Sequence, residues 1–585
     1  MPVEQSLRRE KKNPLLFSAQ VSLSLSVGLI AAYFFTGRWN VVWVLLLAGT
    51  VLWCSDKILV SRERRAVVLS AVFGAAMAAA AVVGRKIQVE TKDFLALRSS
   101  DFLYLLGLFV LFTVVLAVLL PLLVQWSEKI GVKRTFRFSP RKAGLLAFLV
   151  VFVCWLISFL VYYPGSLSID SFYTLRQAMG ITPLTDYHPV VYTLLIRLFV
   201  KLGMLVGGPT VGVAVFSLAQ MFFCAFTVGY GTAWLCRRRP HPAVPVIAVL
   251  WFALSPMFAD FSFTLWKDVP FAAAVLLYTL YTWDVVESRG EKLQSFKGAA
   301  GYVLVSFLMG IFRHNGYYVL ILSTVVLLVC FRKKLRRTLP ALLCGALLVP
   351  LVLNAFYACG VKKGPFSESL SIPVQQIART VKLNGTITPE QQESLERLFD
   401  VEKLQGYDPF LADPAKNSLN REYLNAHKGE FFRLWFSLLP GNFGEYCRAY
   451  LMQTYGYWNW EPKTIPVGGI ANAARELGVT KVNWLFQWTG VDLSGFLQQT
   501  MDFPSTGTIV WILLAGALLL LYRKNYRTLL AYLPAAGVWL TILVATPLYC
   551  SMRYVLALPY VLPFLLFLSL FGESGASSFK EEPSA

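Results

Sequence analysis

The chain has 585 residues, 56% of them hydrophobic and 15% charged, with a net charge of +21 and a mean hydropathy of +0.57. A soluble chain carries about 25% charged residues, so composition excludes an ordinary water-soluble fold. The positive charge does not indicate a nucleic-acid partner, because it falls in short clusters between apolar runs: Arg8-Arg9 with Lys11-Lys12, Arg62 with Arg64-Arg65, Lys133-Arg134, Arg237-Arg238-Arg239, Arg332-Lys333-Lys334 with Arg336-Arg337, and Arg523-Lys524.

The apolar runs have the length of helices that cross a bilayer. Leu103 to Val124 and Ala143 to Tyr163 each approach the ~20 residues that span a hydrocarbon core of about 30 Å. The chain therefore reads as an all-α polytopic membrane protein, and the run lengths exclude a β-barrel. Fourteen spans are expected, at about 16–36, 40–56, 66–84, 102–125, 143–163, 210–235, 243–259, 268–285, 298–312, 316–331, 338–358, 506–522, 528–547 and 553–571. The basic clusters then fall on one side with both termini, which makes that side cytoplasmic and sets the clusters beside anionic headgroups. The segment 85–101, with four basic residues on the opposite side, is the exception. The first apolar run, Leu15 to Phe35, has no small-residue cleavage site and reads as a retained span. Six of the nine cysteines lie in or beside apolar runs, and no CxxC pair supports a zinc or redox motif. No internal repeat is apparent.

Two connections are long. In the first, 164–209, the run His188–Gly203 is apolar but interrupted by Arg197 and Lys201. A crossing here would move Arg237-Arg238-Arg239 to the wrong side, so the run is expected to lie in the interface with its cations snorkelling to water. The second, 360–505, is too long for a structureless loop and is expected to be a small exterior α-rich domain. Helices are expected at 389–399, with Thr388 and Gln391 as a capping box, and at 420–436. Its aromatic stretch Tyr446–Trp460 suits sugar stacking or, preferably, the membrane interface. The expected organisation is an accessory four-helix region at 1–142, a catalytic membrane core at 143–359, the exterior domain at 360–505, and C-terminal helices with a cytoplasmic tail at 506–585.

Ionisable residues at span ends mark candidate chemistry, because charge next to lipid is costly. Four connections bring such groups to one face: Asp170, Asp186 and His188; Asp260, Lys267 and Asp268; Arg313 and His314 with Asn315; and Arg553 with Tyr554. Plainer readings exist. Lys267 and Asp268 suit a helix N-terminus, span-end arginines snorkel, and His314 fits a boundary position. His241 and His427 have no such company.

A basic-flanked span, a loop with an early acid at Asp170, a His188-Pro189 turn opening an apolar helix, and a second acid at Asp268 follow in that order. Over roughly 143–571 this order resembles the GT-C superfamily of polyprenyl-phosphate-sugar-dependent glycosyltransferases. Several relatives carry paired acids or His-Pro-Pro in the first loop; here Ser171 follows Asp170 and Val190 follows Pro189, which leaves metal use open. The resemblance implies a GT-C-like core with interfacial helices, a polyprenyl-phosphate-linked sugar donor, and an extracytoplasmic cell-envelope polymer, glycolipid or protein as acceptor.

Transfer from such a donor needs a base for the acceptor hydroxyl, for which Asp170 is the first candidate and Asp186 its rival. It also needs cations for the leaving phosphate, for which Lys267, Arg313 and Arg553 are candidates. Asp268 is expected to orient the acceptor or to help hold a divalent cation. His188 is expected to orient Asp170 or bind the donor, with His314, Asn315 and Tyr554 completing the substrate site. A transporter or flippase of lipid-linked saccharides is the main competing reading, and an envelope-assembly scaffold the third; polar residues gathered at one face without a repeat favour the enzyme over transport.

Overall fold

A computed structural model describes residues 14–38, 40–61, 63–89, 95–131, 139–462, 472–500 and 504–572. The basic clusters Arg8-Arg9, Lys11-Lys12 and Lys133-Arg134, and Arg62, lie outside them. Helices dominate the described chain, and its one sheet is a two-residue strand pair. Each of the fourteen apolar segments expected from the sequence is helical. Among the described residues nine helices are long and apolar enough to cross a membrane, or ten if Ala243–Ala253 and Pro256–Phe263, bent by 59°, make one span. The difference from fourteen is one of length: Phe296–Phe312 and His314–Cys330, for example, have 17 residues each. The protein is a multi-pass membrane protein.

Two compact units are present, residues 1–130 with 518–524, and 131–517 with 525–585. The first contains α1 (Pro14–Thr36), α2 (Val41–Ser61), α3 (Arg64–Val89) and most of α4 (Ser99–Gly131). Among the described residues of the 85–101 segment, Lys86 Nζ pairs with Asp101 Oδ2 at 2.7 Å and Arg85 donates to the carbonyl of Phe34.

The second unit holds all ten candidate site residues. Helix α5 (Pro140–Val161) leads into a tight turn at Tyr163–Ser166. Gly165 has φ +135°, and a Cβ there would sit 2.4 Å from Ser217 Oγ and 2.7 Å from the Phe263 carbonyl, so only glycine fits. Helix α6 (Ile169–Met179) starts at a Ser168–Ser171 capping box and stops at left-handed Gly180. Its last carbonyls, on Gln177 and Ala178, accept from the guanidinium of Arg197. That is a correction to the snorkelling expected of Arg197: the C-terminal end of a neighbouring helix holds it. Strand β1 (Thr185–Asp186) precedes α7 (Val190–Arg237).

Helix α7 is two helices joined at a break, Gly207–Gly208 before Pro209. The arms fold back on one another: Tyr192 bonds Gln220, and a Cβ on Gly203 would lie 2.2 Å from Gly212 Cα. Such close backbone approach is how small residues pack membrane helices. The segment 478–482 touches both ends of this excursion, pairing Val482 with Tyr163 and Thr480 with Thr210.

Helices α8 (Ala243–Ala253), α9 (Pro256–Phe263), α10 (Asp268–Glu287), α11 (Phe296–Phe312), α12 (His314–Cys330) and α13 (Leu335–Ala358) follow. Helix α10 is buried along nearly its whole length, with Asp268 at its first position. Strand β2 (Lys362–Lys363) pairs in parallel with β1. Beyond it the polar segment forms short helices around their own apolar core, including Val374, Ile377, Leu395, Leu398, Phe431 and Leu434. The expected capping box is present: Thr388 accepts from the Gln391 amide while Gln391 Oε1 accepts from the Thr388 amide. The expected 420–436 helix is split into Arg421–Ala426 and Lys428–Leu438. The aromatic stretch departs from expectation. Tyr446, Tyr455 and Tyr457 are buried, and their hydroxyls or rings are taken by Trp435, Tyr549 and Leu548. These three rings are core, whereas Tyr450, Trp458 and Trp460 of the same stretch are half-buried, Trp460 packing edge-on against Trp511. Backbone bonds from Ala412 to Pro547 and from Tyr549 to Phe410, each 2.9 Å, tie this region to the chain ahead of Arg553. Helices α14 (Thr506–Tyr522), α15 (Leu533–Val544) and α16 (Ala557–Phe571) complete the order.

Candidate functional site

The start of α6 and the start of α10 are joined by a short parallel contact. The Leu265 amide donates to the Ser166 carbonyl at 3.1 Å, Ser171 Oγ donates to the Leu265 carbonyl at 2.9 Å, and Trp266 Nε1 donates to Ser168 Oγ. Beneath them Gln220 donates to the carbonyls of Ser262 and Thr264. These bonds set Asp170 beside Lys267 and Asp268. Buried Asp260 accepts from Ser166 Oγ at 2.8 Å; it supports the turn and does not line the site.

Asp268 is almost fully buried between two arginines from later helices. Its Oδ2 accepts from Arg553 Nε at 2.7 Å, and Arg313 Nη1 lies 3.1 Å from its Oδ1 as an ion contact. Arg553 also reaches Asp170 Oδ2, with Nη2 at 2.5 Å, and its guanidinium stacks 4.2 Å from the Trp266 ring. Arg313 donates to the Tyr554 carbonyl at 2.7 Å. Asp268 therefore holds the arginines. It sits behind the arginines rather than in the open, with only Oδ2 hydrogen-bonded and Oδ1 held by the ion contact alone, so its place is that of a brace rather than of the acceptor or metal ligand that the sequence suggests.

Burial would raise the Asp170 carboxyl, but Arg553, with Lys267 beside it, outweighs burial and holds it below the usual carboxylate range. Asp170 is ionised at neutral pH. His188 does not orient it. Its Nδ1 faces Lys267 Nζ at 3.2 Å, while its buried Nε2 has no protein partner. An ammonium has no lone pair to accept with, so it donates to Nδ1 and the imidazole proton sits on Nε2. Burial, reinforced by the Lys267 charge, pushes His188 down to about 3. Burial likewise pushes Lys267 down to about 8.

Asp186 has a different character. It accepts from His314 Nε2 at 3.1 Å, from the Tyr357 hydroxyl and from the Val190 amide at 3.3 Å. Burial would raise its carboxyl, and these bonds outweigh burial and lower it. It caps α7 and ties β1 to α12 and α13, so its lone pairs are spent on the fold.

One cavity of about 1310 Å³ gathers these groups. Asp170, Asp186, His188, Lys267, Arg313, His314, Asn315, Arg553 and Tyr554 line it, with Asp268 directly behind its arginines. Apart from Asp260, every candidate residue read from the sequence is thus brought to one place. Tyr318, Val319 and Leu322 of α12 and Gly537, Leu540 and Val544 of α15 make one wall apolar. That wall opens outward, with Tyr318 63%, Leu540 49% and Val544 72% exposed.

Sequence reasoning missed Tyr187, Tyr357, Lys363, Glu368, Asp413 and Lys416, which also line the cavity. Tyr187 follows Asp186 directly and was the one within reach. The charged four sit in a polar segment where a charge has no contrast. Among the described residues no three His, Cys, Asp or Glu side chains lie where they could share a metal ion; Asp268 is shut in behind its arginines and Asp186 accepts three hydrogen bonds. This donor set does not fit a resident divalent cation.

Residues 178–582 match the family model described as a family of unknown function, DUF6020, and the chain belongs to that family. No curated protein and no solved structure matches the chain.

Proposed function

We propose that this member of DUF6020 is an integral membrane glycosyltransferase that moves a sugar from a polyprenyl-phosphate donor to an extracytoplasmic cell-envelope acceptor. The observation that carries this reading is the single cavity with Lys267, Arg313 and Arg553 at one end and an outward-open apolar wall of α12 and α15. A phosphate head with an isoprenoid tail is complementary to both. In this reading the chain is GT-C-like, with about fourteen spans, both termini cytoplasmic, and the first arm of α7 an interfacial element.

Asp170 acts as the base. The acceptor hydroxyl gives its proton to the free oxygen of Asp170, and the acceptor oxygen bonds to the anomeric carbon. The bond from that carbon to the phosphate oxygen breaks, and polyprenyl phosphate leaves with the electron pair. Lys267 and the arginines stabilise the charge that gathers on the phosphate. Asp268 fixes the arginine planes in advance, so no reorganisation is needed during the step.

The test is incubation of the purified protein with a panel of polyprenyl-phosphate sugars. Release of polyprenyl phosphate is expected with at least one donor. Failure with every donor, for protein that is folded and monodisperse, removes the reading.

A further inference from the structure

The cavity has a second polar lobe, away from the arginines, that the transfer chemistry above leaves unused. Lys363, Gly364, Glu368 and Ser369 approach it from the chain after β2, and Asp413 and Lys416 from the short helix Asp413–Lys416. Tyr187 stands between this lobe and Asp170.

The charges here are matched. Lys416 is buried, and its Nζ lies 2.8 Å from Glu368 Oε2 and 2.8 Å from Asp413 Oδ1. Burial would lower the Lys416 amine, but the two carboxylates outweigh it and keep the ammonium charged. Each carboxylate spends an oxygen on Lys416. Both side chains remain open to the cavity, at 34% exposed for Glu368 and 59% for Asp413. Lys363 lies over the Tyr357 ring at 5.0 Å, beside Asp186. The Tyr187 ring is 40% exposed and meets the His188 ring edge-on at 4.8 Å. Burial and the neighbouring carboxylates of Glu368 and Asp170 push its phenol up to about 12, so it stays a neutral donor.

Resting on the glycosyltransferase reading, we infer that this lobe is the acceptor site, and that the acceptor is an uncharged saccharide held by Tyr187, Glu368 and Asp413. A polyhydroxylated ring needs acceptors for its hydroxyl protons and a flat apolar surface for its C–H face. The free carboxylate oxygens and the exposed phenol ring supply both. An anionic polymer would meet two carboxylates that share one ammonium, and a cationic peptide would meet two lysines. Lobe charges that cancel favour neither. A saccharide seated there puts a hydroxyl towards Asp170, past Tyr187.

The experiment uses the full-length protein in detergent and two separate binding measurements. The first titrates fluorescently tagged neutral trisaccharides of glucose, mannose and N-acetylglucosamine, with a glycerol-phosphate oligomer and a neutral peptide as comparisons. At least one saccharide is expected to bind, and to bind more tightly than either comparison. Asp413→Asn, which leaves Lys416 paired with Glu368, is expected to raise its Kd at least tenfold. Ser369→Trp, which fills the lobe from an exposed position without touching the ion pairs, is expected to do the same. Absence of saccharide binding, equal binding of the phosphate oligomer or peptide, or unchanged Kd in both variants overturns the inference. The second measurement titrates polyprenyl phosphate. Its failure would count against the donor reading alone, so the two claims fail separately.

Discussion

Lys267 Nζ lies 3.2 Å from His188 Nδ1, an ammonium held by a neutral ring rather than by a carboxylate. Arg553 and Arg313 are both matched to Asp268, so Lys267 carries the charge most available to an incoming phosphate. Its amine is pushed by burial from 10.5 down to about 8. Below that value it is charged, and above it neutral. Affinity for polyprenyl phosphate should therefore fall as pH rises through about 8, and Lys267→Met should remove the dependence. Stability moves the other way. Between about pH 8 and 10.5 the unfolded chain binds a proton that the folded chain has released, so this residue favours folding more as pH rises. Binding and thermal-unfolding curves taken over the same pH range separate the two; parallel loss of both would refute the assignment.

Asp170→Asn should abolish transfer while the protein stays folded. The amide keeps the shape of the carboxylate but takes up no proton, and general-base steps lose about 10²–10⁴-fold on such a change. Asp186→Asn should behave differently, since its carboxylate caps α7 and accepts from His314 and Tyr357. Its cost should appear in the unfolding temperature, equivalent to about 1–3 kcal/mol for groups left unsatisfied. Near-normal turnover of Asp170→Asn would force the base to be reassigned.

Arg553→Ala strands a buried carboxylate. Breaking such a pair by removing one partner costs about 3–5 kcal/mol, so the variant should be poorly folded as well as inactive. Arg553→Lys should recover part of the stability but little donor use, because one ammonium cannot serve Asp170 and Asp268 in the plane that the guanidinium spans. Denaturation midpoints of Arg553→Ala, Asp268→Asn and the double variant should be strongly non-additive. Additive losses would mean that the pair is not coupled.

The topology proposed above assigns residues 360–505 to the extracytoplasmic side. A single cysteine introduced at position 420, in an otherwise cysteine-free chain, should react with an impermeant thiol reagent in intact cells. Labelling only after the membrane is opened would invert the sidedness and move the site to the cytoplasm.

Much of this was legible before any coordinates. Asp170, His188, Lys267, Asp268, Arg313 and Arg553 stand out because ionisable residues beside apolar runs are rare, and their convergence at one cavity follows from the alternation of helices. Partnerships were harder to read. Nothing local pairs Asp268 with Arg553, 285 positions away, and so Asp268 looked like a ligand rather than a brace. The fold-back inside α7 was written in Gly207-Gly208-Pro209, two residues that tolerate unusual backbone angles and one that ends a hydrogen-bond ladder. Tyr357 looked like any aromatic at a helix end. Glu368, Asp413 and Lys416 were hidden by their polar neighbours, because a charge is informative only against an apolar background.

The bracing of Asp268 by Arg553 also sets an order in time. Asp170 and Asp268 leave the ribosome hundreds of residues before the guanidinium of Arg553 that bridges them, and Arg313 waits 241 positions for the Tyr554 carbonyl. Arg313 can reach Asp268 early, but throughout insertion of the intervening helices Asp170 is without the arginine that finally pairs with it. The growing protein must keep that pocket wet, or shielded by another factor, until its closing segment arrives. A chain interrupted before Met552 would keep most of its helices yet present Asp170 without its arginine to the machinery that inspects membrane proteins.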